Sequence, residues 1–75
     1  MQQVKDQMML KKMGARIRCF RKEQKLSQLD LAVMINNHAE QLGRIERGEI
    51  NVTVGTLQKV ADGLNITLGD IFPKE

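Results

Sequence analysis

The stretch INNHAEQLGRIERGE, residues 35–49, decides how this chain folds. An apolar helical pattern runs up to Ile35, stops at two asparagines and restarts at about Ala39. Asparagine is the non-glycine residue that best tolerates left-handed backbone, so Asn36 is suited to end a helix. His38 or Asn37 then stands where a cap is needed for a new helix running from Ala39 to about Arg47. Leu42 and Ile45 give that helix its buried face. Gly48 ends it behind Arg47, a cation that suits the C-terminal dipole. Two helices joined by so tight a turn make a helix-turn-helix arrangement, with the second helix held away from the body.

Working back toward the N-terminus, Ser27 is a good N-cap, and Asp30 three residues on complements the exposed amides of a short helix. Leu31, Ala32 and Ile35 form its inner face, and Met34 is assigned to the core with them. Further back, Leu10, Met13, Ile17 and Phe20 form one apolar stripe of a helix over roughly residues 8–24. Residues 1–7 either extend that helix or fray. Cys19 is expected as a small buried or half-buried helix residue.

Toward the C-terminus, Thr53 caps a fourth helix with the stripe Val54, Leu57, Val60, Ala61 and Leu64. Asn65 ends it as Asn36 ends the second. Thr67 caps a last short helix over Leu68–Phe72, and Pro73 stops it. Strand signals are nearly absent; the only alternation is a weak one at Ile50–Val54. The expected architecture is all-α: a compact five-helix domain over residues 1–75, with its core at about 8–72.

The composition narrows the function. Seventy-five residues make one small domain, which buries only about 60% of the surface its unfolded chain exposes. The single cysteine forms no internal disulfide, and one Cys with one His is too few for a four-ligand zinc site. No metal or cofactor is therefore expected. No apolar run approaches the ~20 residues that span a bilayer, and the first residues lack the apolar segment of a secretory signal. A cytoplasmic location with no membrane partner follows as the expectation. No nucleophile stands with a base, no carboxylate pair marks a cleft, and no glycine-rich phosphate loop is present, so no enzyme is expected. The net charge of +3 is uneven: residues 1–26 carry +6 and residues 27–75 carry −3. A basic first third fits a polyanionic partner; equally, it fits a solvated face that keeps the chain soluble.

The segments IRCFRKEQKLSQLDLA (17–32), RIERGE (44–49) and TLQKVADGLNITLGDIF (56–72) carry a resemblance. Together, from about Met13 to Phe72, they resemble the lambda-repressor-like helix-turn-helix regulators of the Cro/C1 or XRE type. The resemblance implies a five-helix DNA-binding domain that binds an inverted-repeat operator as a homodimer. Phage repressors, restriction-modification controllers and antitoxin-type autoregulators share this form.

Carried over by position, the resemblance implies that Gln28 contacts the phosphate backbone and braces the third helix. Ala39, Glu40 and Gln41 approach base edges, and Arg44 reads a base one turn later. His38 sits at a phosphate or serves as a plain helix cap, while Arg47 and Asn51 stand where backbone contacts are made. Arg21 pairs with Glu46 as a structural tie. Glu40 is unfavourable beside a polyanion unless it accepts from a cytosine amino group. Gly43, inside the third helix, costs up to about 1 kcal/mol relative to alanine. Ile66, Leu68 and Phe72 exceed what so small a domain is expected to bury and are assigned to the dimer surface. The alternative is a protein-interaction module of the same fold, antitoxin- or coactivator-like, binding a toxin or another protein with DNA contact secondary.

Overall fold

The computed structural model describes residues 3–73. Five helices make up most of it: α1 (Gln7–Glu23), α2 (Gln28–Met34), α3 (Ala39–Arg47), α4 (Val54–Leu64) and α5 (Leu68–Ile71). The N-terminus departs from expectation. Residues 3 and 4 neither extend α1 nor fray; Gln3–Val4 is a strand, β1, paired antiparallel with β2 (Val52–Thr53). Residues 1 and 2, also named in that expectation, lie outside the described residues. Asp6 starts α1 instead, its carboxylate accepting from the Met9 amide at 3.1 Å. Val52 explains the partner strand: it is β-branched and buried, so its side chain holds the loop against the core. The fold is thus five helices with one short ribbon.

Four helices end in the same way. After α1, α2, α3 and α4, a single residue turns left-handed: Lys25, Asn36, Gly48 and Asn65, with φ of 59°, 56°, 70° and 57°. In each, the next amide bonds back five residues: Leu26 to Arg21 O, Asn37 to Ala32 O, Glu49 to Arg44 O and Ile66 to Ala61 O. This is the Schellman closure, which satisfies carbonyls that a helix end would leave open. Asn36, Gly48 and Asn65 announce themselves in the sequence. Lys25 does not: a lysine there gives no αL signal and carries the strain of that backbone. At the other ends, Ser27 with Asp30 and Thr67 with Asp70 form reciprocal capping boxes, and Thr53 caps α4.

The core gathers Leu10, Met13 and Ile17 from α1, Leu31, Ala32 and Ile35 from α2, Leu42 and Ile45 from α3, and Leu57, Val60, Ala61 and Leu64 from α4, with Val52 and Ile71. Three expectations fail here. Val54, assigned to the buried stripe of α4, is the first residue of that helix and is only half-buried, outside the core cluster. Met34 is 54% exposed rather than core, because α2 is only seven residues long and Leu31, Ala32 and Ile35 already fill its inward face. Met34 lies at the rim of a groove shared with Lys59, Asp62 and Gly63. Cys19 is exposed, since it lies two residues past Ile17 and so on the opposite side of the helix. The groups assigned to a dimer surface, Ile66, Leu68 and Phe72, are half-buried and packed against the core.

Arg16 of α1 and Gln24, the residue that caps its C-terminus, are both committed to the body. Arg16 Nε donates to Asp70 O at 2.6 Å, its guanidinium lying 5.9 Å from the Phe20 ring centroid, and Gln24 Nε2 donates to Leu64 O at 2.6 Å. These contacts tie α1 to α4 and α5.

Candidate nucleic-acid interface

Helix α3 has two unlike faces. Inward lie Leu42, Gly43, Ile45 and Glu46, all buried. Outward lie Glu40, Gln41, Arg44 and Arg47, all exposed. The inner face is clamped from two sides. On one, α1 crosses so closely that a β-carbon on Gly14 would strike the carbonyl oxygens of Ile45 and Glu46. On the other, α2 lays Gln28 beside Gly43, where an added β-carbon would come within 3.1 Å of Arg47 Nη1 and 3.3–3.4 Å of the Gln28 amide. Glycine at position 43, which weakens the helix in isolation, therefore leaves room for the side-chain ends of Arg47 and Gln28.

The clamp is fastened by a buried ion pair. Arg21 Nε and Nη2 donate to the two carboxylate oxygens of Glu46 at 2.6 and 2.9 Å, and Arg21 Nη1 donates to Leu26 O at 2.8 Å. The Arg21 and Glu46 side chains are only 8% and 2% exposed. Gln28 Nε2 adds a third bond to Glu46 at 3.2 Å. Hydrogen bonding to Glu46 holds the Arg21 guanidinium above its ordinary pKa, against the opposing effect of burial. One carboxylate thus joins α1, α2 and α3. Among the described residues, no buried side-chain nitrogen or oxygen lacks a hydrogen-bond partner.

The start of α3 is open. His38 occupies the N-cap position but makes no side-chain cap bond. Asn37 acts instead on the turn, its Oδ1 accepting from the His38 amide at 2.7 Å. The sequence left the choice between these two residues open; the cap position goes to one and the side-chain bond to the other.

Four of the candidate residues come together: His38, Glu40, Gln41 and Arg44 line one shallow depression of about 250 Å³. Ala39 is half-buried beside them, packed on the core. A second depression, of about 260 Å³, is lined by Arg18, Arg21, Gln28, Glu46 and Arg47. Arg18 is the residue that sequence reasoning missed. It precedes Arg21 by three on α1, so it shares that helix face, and this spacing was the available signal. Asn51 is exposed on the loop after α3 and lines neither depression.

The outward cations are not bare. Arg44 Nη2 donates to Glu40 Oε1 at 3.0 Å, one helical turn away. Arg47 donates twice to Glu49, at 2.7 and 3.2 Å. That pairing raises the Arg47 pKa and lowers that of Glu49 through their hydrogen bonds. Both pairs are open to solvent, where such contacts break readily.

Comparisons with known proteins agree with this geometry. The model of the helix-turn-helix family matches residues 17–71. The chain is 40% identical over 62 residues to the immunity repressor protein of Bacillus phage phi105, a match covering 83% of this chain and 43% of the repressor. It is 37% identical over 62 residues to an uncharacterized HTH-type transcriptional regulator, YazB, of Bacillus subtilis strain 168, covering 83% of this chain and 90% of that protein. The chain therefore spans less than half of the phage repressor's length and most of YazB's. Among solved structures, the restriction-modification controller protein C.AhdI from Aeromonas hydrophila superposes with a TM-score of 0.82 at 35% identity, covering 84% of this chain and 96% of that one. With its fold, its clamped third helix and its sequence in agreement, the chain belongs to the lambda-repressor-like, XRE-type helix-turn-helix family of DNA-binding regulators.

Proposed function

We propose that the chain is a cytoplasmic transcriptional regulator that binds a short inverted repeat of double-stranded DNA as a homodimer. The observation that carries the proposal is the contrast between the faces of α3. His38, Glu40, Gln41 and Arg44 stand outward together, while Glu46 behind them is locked to α1 and α2. A helix is about 10–12 Å across with its side chains, and a major groove about 12 Å wide admits it. Arg44, Gln41, Glu40 and Ala39 would face base edges. Gln28, His38, Arg47 and Asn51 would face phosphates and set the register. Arg18, Lys22 and Lys25 add positive charge along α1, and phosphate contacts of this kind supply most of the affinity.

Fluorescence anisotropy with a duplex from the chain's own upstream region and a scrambled duplex tests the proposal. The parent is expected to prefer the first. Arg44→Ala is expected to reduce that preference by about 5- to 150-fold, since a good bidentate base contact is worth about 1–3 kcal/mol. Equal binding of both duplexes by the parent would overturn sequence-specific reading.

The dimer is proposed through the outward parts of Ile66, Leu68 and Phe72. Sedimentation at micromolar concentration is expected to show two copies, and Phe72→Glu is expected to shift them to one; a parent that stays monomeric on operator DNA would remove the dimer. A second reading, a protein-interaction module, draws on exposed apolar groups of α2, Leu29 and Val33, which are 62% and 71% exposed. A partner retained by Arg44→Ala while DNA binding is lost at no cost to regulation would favour it.

A further inference from the structure

The pairing of Glu40 with Arg44 has a pattern that matches one kind of base pair. Oε1 of Glu40, an acceptor, lies 3.0 Å from Nη2 of Arg44, a donor. Both side chains are exposed, at 79% and 49%, and both line the depression at the start of α3. The two heads therefore present a donor and an acceptor side by side, at the spacing of an ordinary hydrogen bond. A G·C pair presents the complement along its major-groove edge: guanine N7 and O6 accept, and the cytosine N4 amino group beside O6 donates.

Resting on the proposed reading of DNA by α3, we propose that Glu40 and Arg44 form one reading unit that selects a G·C pair in a single orientation. Arg44 donates to N7 and O6 of guanine, and Glu40 accepts from N4 of the cytosine paired with it. Arg44 keeps enough donors for this, because a guanidinium has five N–H groups and Glu40 engages one of them.

The other pairs fit worse, for stated reasons. An A·T pair presents acceptor, donor, acceptor, so the second donor of Arg44 would meet the adenine amino group. A reversed pair places the Glu40 carboxylate over the two guanine acceptors. Between phosphates, an unsatisfied carboxylate repels the duplex at every site except one that offers a donor. Glu40 thus weakens binding generally and recovers that loss at one base pair, which is how a site rejects wrong partners. Before DNA arrives, the exposed ion pair forms and breaks, biasing the long Arg44 side chain toward the groove-facing surface without fixing it. Glu40 is therefore both a specificity determinant and a positioning residue for Arg44.

The probe is a pool of 20-base-pair duplexes with a randomised centre, selected by the parent chain. The most enriched duplex is then remade with each base pair of its half-site replaced in turn. The parent is expected to require one G·C pair, losing about 10-fold or more on its replacement. Glu40→Ala is expected to cut that discrimination at least about 5-fold while binding unselected duplexes more tightly, because one repulsive charge is gone. Arg44→Ala is expected to cut the same preference, and the double variant is expected to lose less than the two single losses combined, since each residue helps to hold the other in place. Both positions are solvent-exposed, and unchanged thermal melts establish that the variants fold.

Glu40→Ala showing the parent's full preference at every position would overturn the inference and leave DNA reading by α3 intact. Selection that enriches no sequence at all would remove the DNA-reading function, and this inference with it.

Discussion

Glu46→Ala is expected to destabilise the fold by about 3–5 kcal/mol, measured by urea denaturation. Removing that carboxylate strands the Arg21 guanidinium in a site where its side chain is 8% exposed, and takes one partner from Gln28. An unpaired buried charge costs far more than the pair contributes, because the pair's attraction largely offsets two desolvations. In a domain of this size, whose total stability lies toward the low end of about 5–15 kcal/mol, such a loss leaves little folded protein. At roughly 4–8 °C per kcal/mol, the melting midpoint should drop by more than about 12 °C. The double change Arg21→Met with Glu46→Leu should recover at least about 2 kcal/mol of the loss, since apolar groups fill the space without a stranded charge. It will not recover everything, because Leu26 O loses its donor. A single variant within about 1 kcal/mol of the parent would show that the pair is not buried in solution.

Gly14→Ala is the second large effect, and its sign is the informative part. In the middle of a 17-residue helix, alanine should be better than glycine by about 1 kcal/mol. Here the added methyl would collide with the Ile45 and Glu46 carbonyls, which are backbone atoms of α3. A flexible side chain could yield; a helical backbone held by the Arg21–Glu46 pair cannot do so cheaply. Overpacking of this kind costs about 1–3 kcal/mol or more, so sterics should outweigh propensity. Circular-dichroism melts should show Gly14→Ala below the parent by roughly 5–15 °C. Gly69→Ala is the control, because a methyl there meets only Thr67 Oγ1, at 3.7 Å. A Gly14→Ala protein as stable as the parent would mean that α1 and α3 are further apart than described.

These two positions also mark the limit of what the sequence discloses. Caps and stops are local chemistry and were legible: Ser27 with Asp30, Thr53, Thr67, Asn36, Gly48 and Asn65 each act within a few residues of themselves. Apolar stripes were legible where helices are long, as in α1 and α4. They failed on seven-residue α2, where Leu29, Val33 and Met34 are apolar but exposed, and so short a helix offers no period by which to judge Met34. Close approach was not legible at all. Gly14 carries no local signature, since its necessity arises from the carbonyls of Ile45 and Glu46, 31 and 32 residues away in sequence. The ribbon was half legible: the alternation around Val52 was visible, but its partner at Gln3–Val4 is too short to carry a pattern.

The candidate interface divides in the same way. The Glu40–Arg44 pair follows from four-residue helical spacing. Arg18 beside Gln28 and Arg47 depends on how α1, α2 and α3 are docked.

The ribbon joins chain positions separated by most of the sequence, and it does so with two residues per strand. Closing so long a loop costs entropy that two residue pairs barely offset, so the strands should meet only after the helices have assembled. Their amides should then exchange with solvent by local parting rather than by global unfolding. The approach to α4 is thereby the slack corner of the molecule. Opening it loosens β2 and β1 together, while the three-way knot at Glu46 stays tied.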